Sequence, residues 1–299
     1  MGTPEFSVPS LKILVESGFK VVAVITAPDR PAGRGRKLSM SAVKTYALSQ
    51  NIPVLQPTNL KSPEFNLELK SYQANLQVVV AFRMLPEIVW DMPEYGTFNL
   101  HASLLPQYRG AAPINWAIIN GEKETGATTF FLQHEIDTGN IILQEKVAIT
   151  DADTAGSLYE RLMHKGAELV LETTQSIMTH NPEVTQQVMT PDLKPAPKIH
   201  KETCKIDWNQ NSVSIRNFIR GLSPYPAAWT MVNGKNCKFF QVELVKDELE
   251  QQKEPGEFIT DQKNFIYFKT SDGWVSIKEL QLEGKRRMTV EDFLRGATL

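Results

Sequence analysis

The chain has 299 residues, a formal net charge of −2 and two cysteines, Cys204 and Cys237. With 41% apolar residues it is typical of a globular protein of one large domain or two, which excludes an intrinsically disordered chain. The charge balance excludes a globally basic nucleic-acid coat protein, and the cysteine spacing excludes a disulfide scaffold or a zinc ribbon. No apolar run reaches the roughly 20 residues that span a bilayer, and the first residues show no signal-peptide pattern. We therefore expect a cytoplasmic monomer with free thiols and no membrane partner.

The first half of the chain alternates helical and strand-like segments. Strands are predicted at 20–26, 77–82, 96–101, 126–132 and 141–149, and helices at 10–18, 39–50 and 154–178. The strand at 20–26 (KVVAVIT) is almost wholly apolar, which is typical of a strand buried on both faces. This alternation predicts an α/β domain over residues 1–179 with a doubly wound, mainly parallel, Rossmann-like sheet.

The start of this domain departs from the usual plan of an open α/β fold. Such a domain normally begins with a buried strand whose C-terminal end leads into a ligand-binding loop. Here Gly2, Thr3 and Pro4 come first and lead directly into a helix. We therefore expect the sheet to lack its first strand. Met1 is then either the native start of a chain with a shortened sheet or an internal methionine of a longer one.

The second half begins with a change of composition. Four prolines between 182 and 197 break regular structure, which predicts a linker over residues 180–200. A helix is predicted at 213–220, followed by strands at 227–232, 238–245, 256–260, 265–270 and 274–279. Asn-Gly at 233–234 and Asp-Gly at 272–273 are typical hairpin turns. Residues 201–299 are therefore predicted to form a small OB-like β-barrel domain.

Asn99 and His101 are the first candidates for chemistry. They lie one residue apart at the end of a predicted strand, so their side chains point to the same face. Ligands bind at the C-terminal ends of strands in parallel sheets. An amide donor beside an imidazole can stabilise an oxyanion and transfer a proton. Taken alone, however, an Asn-x-His pair is more often a turn cap followed by a core histidine.

Asp137 is the third candidate. It lies in the string HEIDTG, between two predicted strands. Its carboxylate could accept a hydrogen bond from His101 and fix the tautomer of the imidazole, or it could be a turn residue before Gly139. The string is not the zinc-binding HExxH motif, because Thr138 stands where the second histidine is required. We predict no metal site.

The segment 28–44 is locally basic. It carries one acidic side chain against five basic ones, namely Arg30, Arg34, Arg36, Lys37 and Lys44. Glycines at 33 and 35 favour flexibility, and the phosphate-binding P-loop pattern is absent. The segment is either a loop that orders on a nucleic-acid phosphate backbone or a solvated surface loop.

Several strings in this chain resemble those of one enzyme family. NLHASLLPQYRGAAP at 99–113, followed by DTG at 137–139, resembles the folate-dependent formyltransferases. MGTPEF at 1–6 and PDRPAGRGRK at 28–37 are similar to strings of those members that act on a charged tRNA. The resemblance covers nearly the whole chain. It favours a catalytic role for Asn99 and His101 over the alternative of a turn cap and a core histidine.

The resemblance implies both a reaction and a site. A formyl group would pass from 10-formyltetrahydrofolate to the α-amine of methionine esterified to initiator tRNA. The implied catalytic residues are Asn99, His101 and Asp137, and the implied folate-binding residues are Ser103, Leu104, Leu105 and Pro106. The implied tRNA-binding residues are Arg30, Arg34, Arg36 and Lys37, of which Arg34 holds the most important position. The C-terminal barrel would be a further tRNA-binding platform.

Two other functions agree with part of this pattern. A folate-dependent transformylase acting on a purine precursor or a nucleotide sugar would keep the three implied catalytic residues. It would need neither the basic segment nor an RNA-binding barrel, so the string at 28–37 counts against it. A non-catalytic RNA-binding protein with an inactive transferase domain is the other alternative, and the intact catalytic residues count against that.

Overall fold

A computed structural model of the chain describes residues 1–32, 37–179, 182–245 and 252–296. The chain divides into two compact units, each assembled from several stretches of sequence. The first unit contains residues 1–110, 125–147 and 159–195, and the second contains residues 111–124, 148–158 and the chain from 196 onward. Stretches 111–124 and 148–158, which the sequence analysis placed in the N-terminal domain, thus cluster with the C-terminal half.

The helices and strands follow the predicted alternation. In chain order the helices are α1 (Val8–Glu16), α2 (Ala42–Ser49), α3 (Pro63–Ser71), α4 (Glu87–Trp90), α5 (Pro113–Ile119), α6 (Ala155–Met178), α7 (Ser212–Leu222) and α8 (Val290–Gly296). The strands are β1 (Val24–Ile25), β2 (Arg30–Ala32), β3 (Lys37–Ser39), β4 (Val54–Leu55), β5 (Gln77–Val80), β6 (Thr97–His101), β7 (Glu124–Phe131), β8 (Ile141–Ala148), β9 (Ala228–Val232), β10 (Lys235–Leu244), β11 (Phe258–Thr260), β12 (Ile266–Lys269), β13 (Trp274–Leu282) and β14 (Met288–Thr289).

The first unit is an α/β fold around a mainly parallel sheet, as predicted. Strand β1 pairs in parallel with β4, and β5 pairs in parallel with β6. Strand β7 runs antiparallel to β6, and β8 lies beyond β7. Met1 and Gly2 connect the two sets, because the Gly2 N–H donates to the Ile25 carbonyl and the Val80 N–H donates to the Met1 carbonyl.

Helix α3 was not predicted from the sequence. Its N-cap Ser62 accepts a hydrogen bond from the Phe65 N–H, and Pro63 occupies the first turn. Phe65 and Leu69 bury one face of the helix in a core shared with Val79 of β5. The remaining positions are polar, which masked the helical spacing, although serine followed by proline is a recognisable helix start.

A cavity lies beside Met1, at the place where the sequence predicts that a first strand is lacking. The predicted strand at 20–26 is reduced to β1, and residues 20–23 line a cavity of about 500 Å³ together with residues 72–78. Strand hydrogen bonds need a neighbouring backbone, and Met1 and Gly2 supply the one that the described residues show between Ile25 and Val80. The Met1 amine donates to the Val78 carbonyl at 2.6 Å, and its burial lowers its pKa from 8.0 to about 5.

The second unit is a strand-rich domain of the predicted OB-like kind. Its antiparallel sheet has the order β11-β12-β13-β10-β9, with β14 paired to β13. Helix α7 covers the sheet with Ile215 and Ile219, and Trp208 stacks on Phe268 at 4.7 Å between ring centroids. The predicted hairpin turn at 233–234 joins β9 to β10. Cys204 and Cys237 are buried free thiols, as expected.

The proline-rich segment differs from the free linker that the composition suggests. Residues 182–195 cluster with the first unit, where Thr185 exchanges two backbone hydrogen bonds of 2.8 Å with Ile141 of β8. The Lys194 carbonyl accepts a hydrogen bond of 2.7 Å from the Tyr108 N–H. Prolines prevent a regular helix here, but the backbone groups of Thr185 and Lys194 find partners in the first unit, and these hydrogen bonds hold the segment beside the site described below.

Among the helices that the structure describes, none combines the length and apolar character required to cross a membrane.

Candidate active site

His101 is the last residue of β6, and its orientation is fixed by a backbone group. Its Nε2 atom lies 2.8 Å from the Tyr108 carbonyl oxygen, and the imidazole is only 7% exposed. A carbonyl oxygen only accepts hydrogen bonds, so Nε2 must carry a proton. The Nδ1 atom is therefore the position of the ring where a proton can be gained or lost.

Asp137 faces this Nδ1 atom. One of its carboxylate oxygens lies 3.8 Å from Nδ1, which is too long for a hydrogen bond. The same oxygen accepts a hydrogen bond of 3.0 Å from the Gly110 N–H. The contact between Nε2 and the Tyr108 carbonyl therefore fixes the tautomer of His101, and Asp137 places a carboxylate beside Nδ1.

Asn99 lies two residues before His101 on the same side of β6, as the strand alternation predicts. Its backbone is in register with Val79 of β5 and Phe130 of β7. Its side chain is half-buried and forms no hydrogen bond with any part of the chain that the structure describes. The amide is therefore available to a ligand at the end of the strand.

The segment 103–106 follows β6 and is held by two side chains that the sequence analysis missed. The Thr128 hydroxyl donates to the Ser103 carbonyl at 2.6 Å and accepts a hydrogen bond of 3.1 Å from the Leu105 N–H. Gln144 donates to the Leu105 carbonyl at 2.9 Å. Ser103 and Leu105 are themselves buried, whereas Leu104 and Pro106 are partly exposed. Nothing in the sequence around Thr128 or Gln144 distinguishes them from ordinary strand residues.

The basic segment is described only in part. Strands β2 and β3 pair antiparallel, and Arg30 is exposed on β2. Lys37 begins β3, and Arg34 and Arg36 lie outside the described residues. Lys44 forms an ion pair of 2.6 Å with Asp29, and this hydrogen bond, with one from Gln56, lowers the pKa of the Asp29 carboxyl. Lys44 is thus neutralised within the protein.

No group of three or more His, Cys, Asp and Glu side chains converges to bind a metal in the described part of the chain. The site consists of an amide, an imidazole and a carboxylate around a strand end, and this set suits acyl or formyl chemistry without a covalent enzyme intermediate.

Family comparisons agree with this geometry. The profile of the formyl transferase family matches residues 2–174, and that of the formyl transferase C-terminal domain matches residues 198–298. The chain belongs to the formyl transferase family. The first profile covers the α/β sheet with the candidate site, and the second covers most of the strand-rich C-terminal part of the chain.

Relatives with high identity bear one common name. A methionyl-tRNA formyltransferase from Bacteroides fragilis is 52% identical over 302 residues, covering 99% of this chain and 93% of the relative. One from Bacteroides thetaiotaomicron is 53% identical and covers 100% of this chain and 95% of the relative. One from Flavobacterium johnsoniae is 51% identical, with coverages of 100% and 95%.

Solved structures share the fold at lower identity. WlaRD, a sugar 3N-formyl transferase crystallised with dTDP and 5-N-formyl-THF, has a TM-score of 0.68 and 23% identity, with 95% of this chain and 97% of that chain covered. HypX from Aquifex aeolicus, in complex with tetrahydrofolic acid, has a TM-score of 0.60 and 22% identity, with coverages of 84% and 44%. At these identities the likeness establishes the fold alone.

Proposed function

We propose that this formyl transferase moves a formyl group from 10-formyltetrahydrofolate to the α-amine of methionine on initiator tRNA. The observation that carries the proposal is the arrangement at the end of β6. There the free amide of Asn99 lies on the same side of the strand as the imidazole of His101, and Asp137 faces Nδ1. The names of relatives that are more than 50% identical support the tRNA acceptor.

The residues around the strand end fit a folate. Segment 103–106 has its backbone fixed by Thr128 and Gln144, while Leu104 and Pro106 leave apolar surface partly exposed. A rigid, partly apolar loop next to unpaired polar groups is typical of small-molecule sites. When bound there, the folate supplies the formyl carbon that the amine attacks.

The Asn99 side chain would stabilise negative charge on the formyl oxygen. Its amide N–H groups need not break an existing hydrogen bond to do so. Removal of one oxyanion donor typically lowers kcat about 100- to 1000-fold. His101 can add only the Nδ1 proton, because its Nε2 proton is bound to the Tyr108 carbonyl.

Asp137 would accept the proton that the amine loses as it attacks, and this proton would pass to N10 of the folate as the bond between N10 and the formyl carbon breaks, so that the products are formyl-methionyl-tRNA and tetrahydrofolate. The carboxylate is 12% exposed, and one of its oxygens lies 3.8 Å from Nδ1 of His101. The second oxygen of Asp137 accepts no hydrogen bond within the described residues and can bind the amine directly or through a water.

Basic and aromatic side chains offer surfaces for the tRNA. In the first unit the sequence predicts this role for Arg30, Arg34, Arg36 and Lys37, and of these side chains the structure describes that of Arg30, which is exposed on β2. In the second unit, the Lys205 ammonium lies 5.9 Å from the centre of the Trp229 ring, and Lys238 pairs with Trp229 across β9 and β10. Interleaved cations and aromatic rings are typical of surfaces that bind single-stranded nucleic acid. An acceptor of this kind also places the reaction in the cytoplasm.

A comparison of acceptors tests the proposal. The protein is incubated with 10-formyltetrahydrofolate and one of three acceptors: methionyl initiator tRNA, methionyl elongator tRNA or a dTDP-amino sugar. Rapid formylation of the initiator tRNA alone supports the proposal. Formylation of the amino sugar alone would assign the chain to the nucleotide-sugar transformylases instead.

The Arg34→Ala variant separates RNA binding from chemistry. We expect it to raise the KM for initiator tRNA about tenfold or more and to leave the KM for folate within about twofold, because a lost phosphate contact weakens RNA binding alone. Lys12→Ala, at an exposed lysine of α1, is the matched control and should change neither value. Equal effects of Arg34→Ala on both substrates would contradict this role.

A further inference from the structure

Gln187 lies in the proline-rich segment and forms hydrogen bonds with every polar atom of its side chain. Its Nε2 donates to the carbonyls of Asp137 at 2.9 Å and Gly139 at 2.8 Å. Its Oε1 accepts from Nε of Arg109 at 3.2 Å and from a terminal nitrogen of Arg109 at 2.6 Å. The residue is only 8% exposed, whereas Gln186 beside it is exposed.

The chemistry of these partners determines the orientation of the amide. Two carbonyl oxygens require donors, and a guanidinium requires an acceptor. Among side chains of this length, only glutamine supplies both at once. Glutamate could keep the contact with Arg109 but would place a second acceptor against the two carbonyls.

Gln187 therefore joins the two loops that meet at the candidate site. Arg109 immediately precedes Gly110, whose N–H donates to the Asp137 carboxylate. The Asp137 loop is thus held twice, by its side chain through Gly110 and by its backbone through Gln187. Asp137 itself has a φ of 56°, a conformation that is uncommon outside glycine and needs support from its surroundings.

We propose that Gln187 is a positioning residue of the formyl-transfer site: it holds the backbone of Asp137 and Gly139 against Arg109, so that the Asp137 carboxylate faces Nδ1 of His101. The inference rests on the proposed function, since it assigns Asp137 a part in the reaction. The proline-rich segment would then contribute to the site, because it carries the Gln187 amide that binds the Asp137 and Gly139 carbonyls.

The test compares Gln187→Glu with Gln186→Glu, the same change at the neighbouring exposed position. Misplacement of a catalytic group by about 1 Å can lower the rate 100-fold. We expect Gln187→Glu to lower kcat about 10- to 100-fold with KM values for both substrates within about twofold. Gln186→Glu should retain the wild-type kcat. A residue that serves stability alone would lower the melting temperature and leave kcat at 25 °C unchanged.

The Gly110 amide resonance is a second readout that does not depend on the identity of the acceptor. In Gln187→Glu, loss of the carboxylate from its position should shift this resonance upfield and speed its hydrogen exchange. If the wild-type protein transfers no formyl group to tRNA, the proposed function fails, and the Gly110 shift still tests the positioning role. A Gln187→Glu protein with kcat within twofold of wild type, or with an unmoved Gly110 amide, overturns the inference. Gln187→Met, which removes both sets of hydrogen bonds, must reproduce both effects.

Discussion

His101 Nε2 lies 2.8 Å from the Tyr108 carbonyl oxygen, and this contact decides which imidazole nitrogen takes part in chemistry. With Nε2 occupied as a donor, Nδ1 is left facing the Asp137 carboxylate at 3.8 Å. Tyr108 itself is fixed, because its N–H donates to the Lys194 carbonyl of the proline-rich segment. The orientation of the imidazole therefore depends on chain far from β6 in the sequence.

The variant Asp137→Asn should lower kcat by at least about 100-fold, the usual contribution of a group that assists proton transfer. The melting temperature should barely change, because the amide oxygen can still accept from the Gly110 N–H. Steady-state formylation and thermal unfolding measure the two quantities. Asp192→Asn, at an exposed aspartate, is the control and should behave as wild type. More than half of wild-type activity in Asp137→Asn would exclude a catalytic carboxylate.

The variant Thr128→Val should destabilise the first unit by about 3 kcal/mol. It leaves the buried Ser103 carbonyl and Leu105 N–H without their partner, and each unsatisfied buried group costs about 1–3 kcal/mol. Thr125→Val on the same strand is the matched control, because the buried Thr125 hydroxyl has no hydrogen-bond partner in the part of the chain that the structure describes. It should be neutral or slightly stabilising. Urea unfolding of both variants measures the two changes in stability. Equal losses would show that the Thr128 hydroxyl does not stabilise the segment 103–106 through its hydrogen bonds.

The cavity beside Met1 should accept an added strand. We expect an extension of the type Lys-Ile-Ile-Phe before Met1 to pair between residues 20–23 and β5 and to raise the melting temperature. Each apolar side chain that it buries is worth about 1.5–3 kcal/mol. The same extension with proline at alternate positions is the control, since it cannot form the ladder. Equal melting temperatures for the two extended proteins would show that the cavity does not bind a strand.

The buried Met1 amine should make stability depend on pH. Its pKa is about 5 in the folded protein and 8.0 in the unfolded chain, so between these values the unfolded chain binds more protons. The free energy of unfolding therefore gains a contribution that rises with pH across this window, by at most about 1.4 kcal/mol per pH unit. Well above pH 8 the amine is neutral in both states and its contribution is constant.

Urea unfolding from pH 5 to 8 measures this dependence. The protein extended with Lys-Ile-Ile-Phe carries no amine at this position and should lose the Met1 component of the slope. Groups that both proteins share cancel in the difference; the extension adds one lysine, which stays protonated over this pH range, and moves the terminal amine to its own first residue. Identical slopes for the two proteins would contradict the burial of a neutral amine.

Much of the fold follows from local pattern. Strand β5 could be predicted from its β-branched run at 77–80, and helix α6 from the helical spacing of its apolar residues between 155 and 178. The bounds of β1 were not predictable, since strand length depends on a partner that lies elsewhere in the chain. Helix α3 was missed because its core-facing residues are few.

The site was predictable only where side chains themselves carry the chemistry. Asn99, His101 and Asp137 could be selected by residue type and spacing, aided by a family resemblance. Tyr108 acts through its carbonyl, which every residue possesses, so no sequence signal distinguishes it. Gln187 lies about 50 residues beyond Asp137 in a segment with the composition of a linker, and only the tertiary structure brings the two together.

The most direct test of a formyl-transfer site at the end of β6 is the single-turnover rate of formyl transfer to methionyl initiator tRNA by Asn99→Ala, at saturating protein and folate. We expect a rate at least about 100-fold below wild type, with unchanged thermal stability, because the Asn99 amide has no partner to lose within the described structure. A rate within about threefold of wild type would contradict a formyl-transfer site at the end of β6.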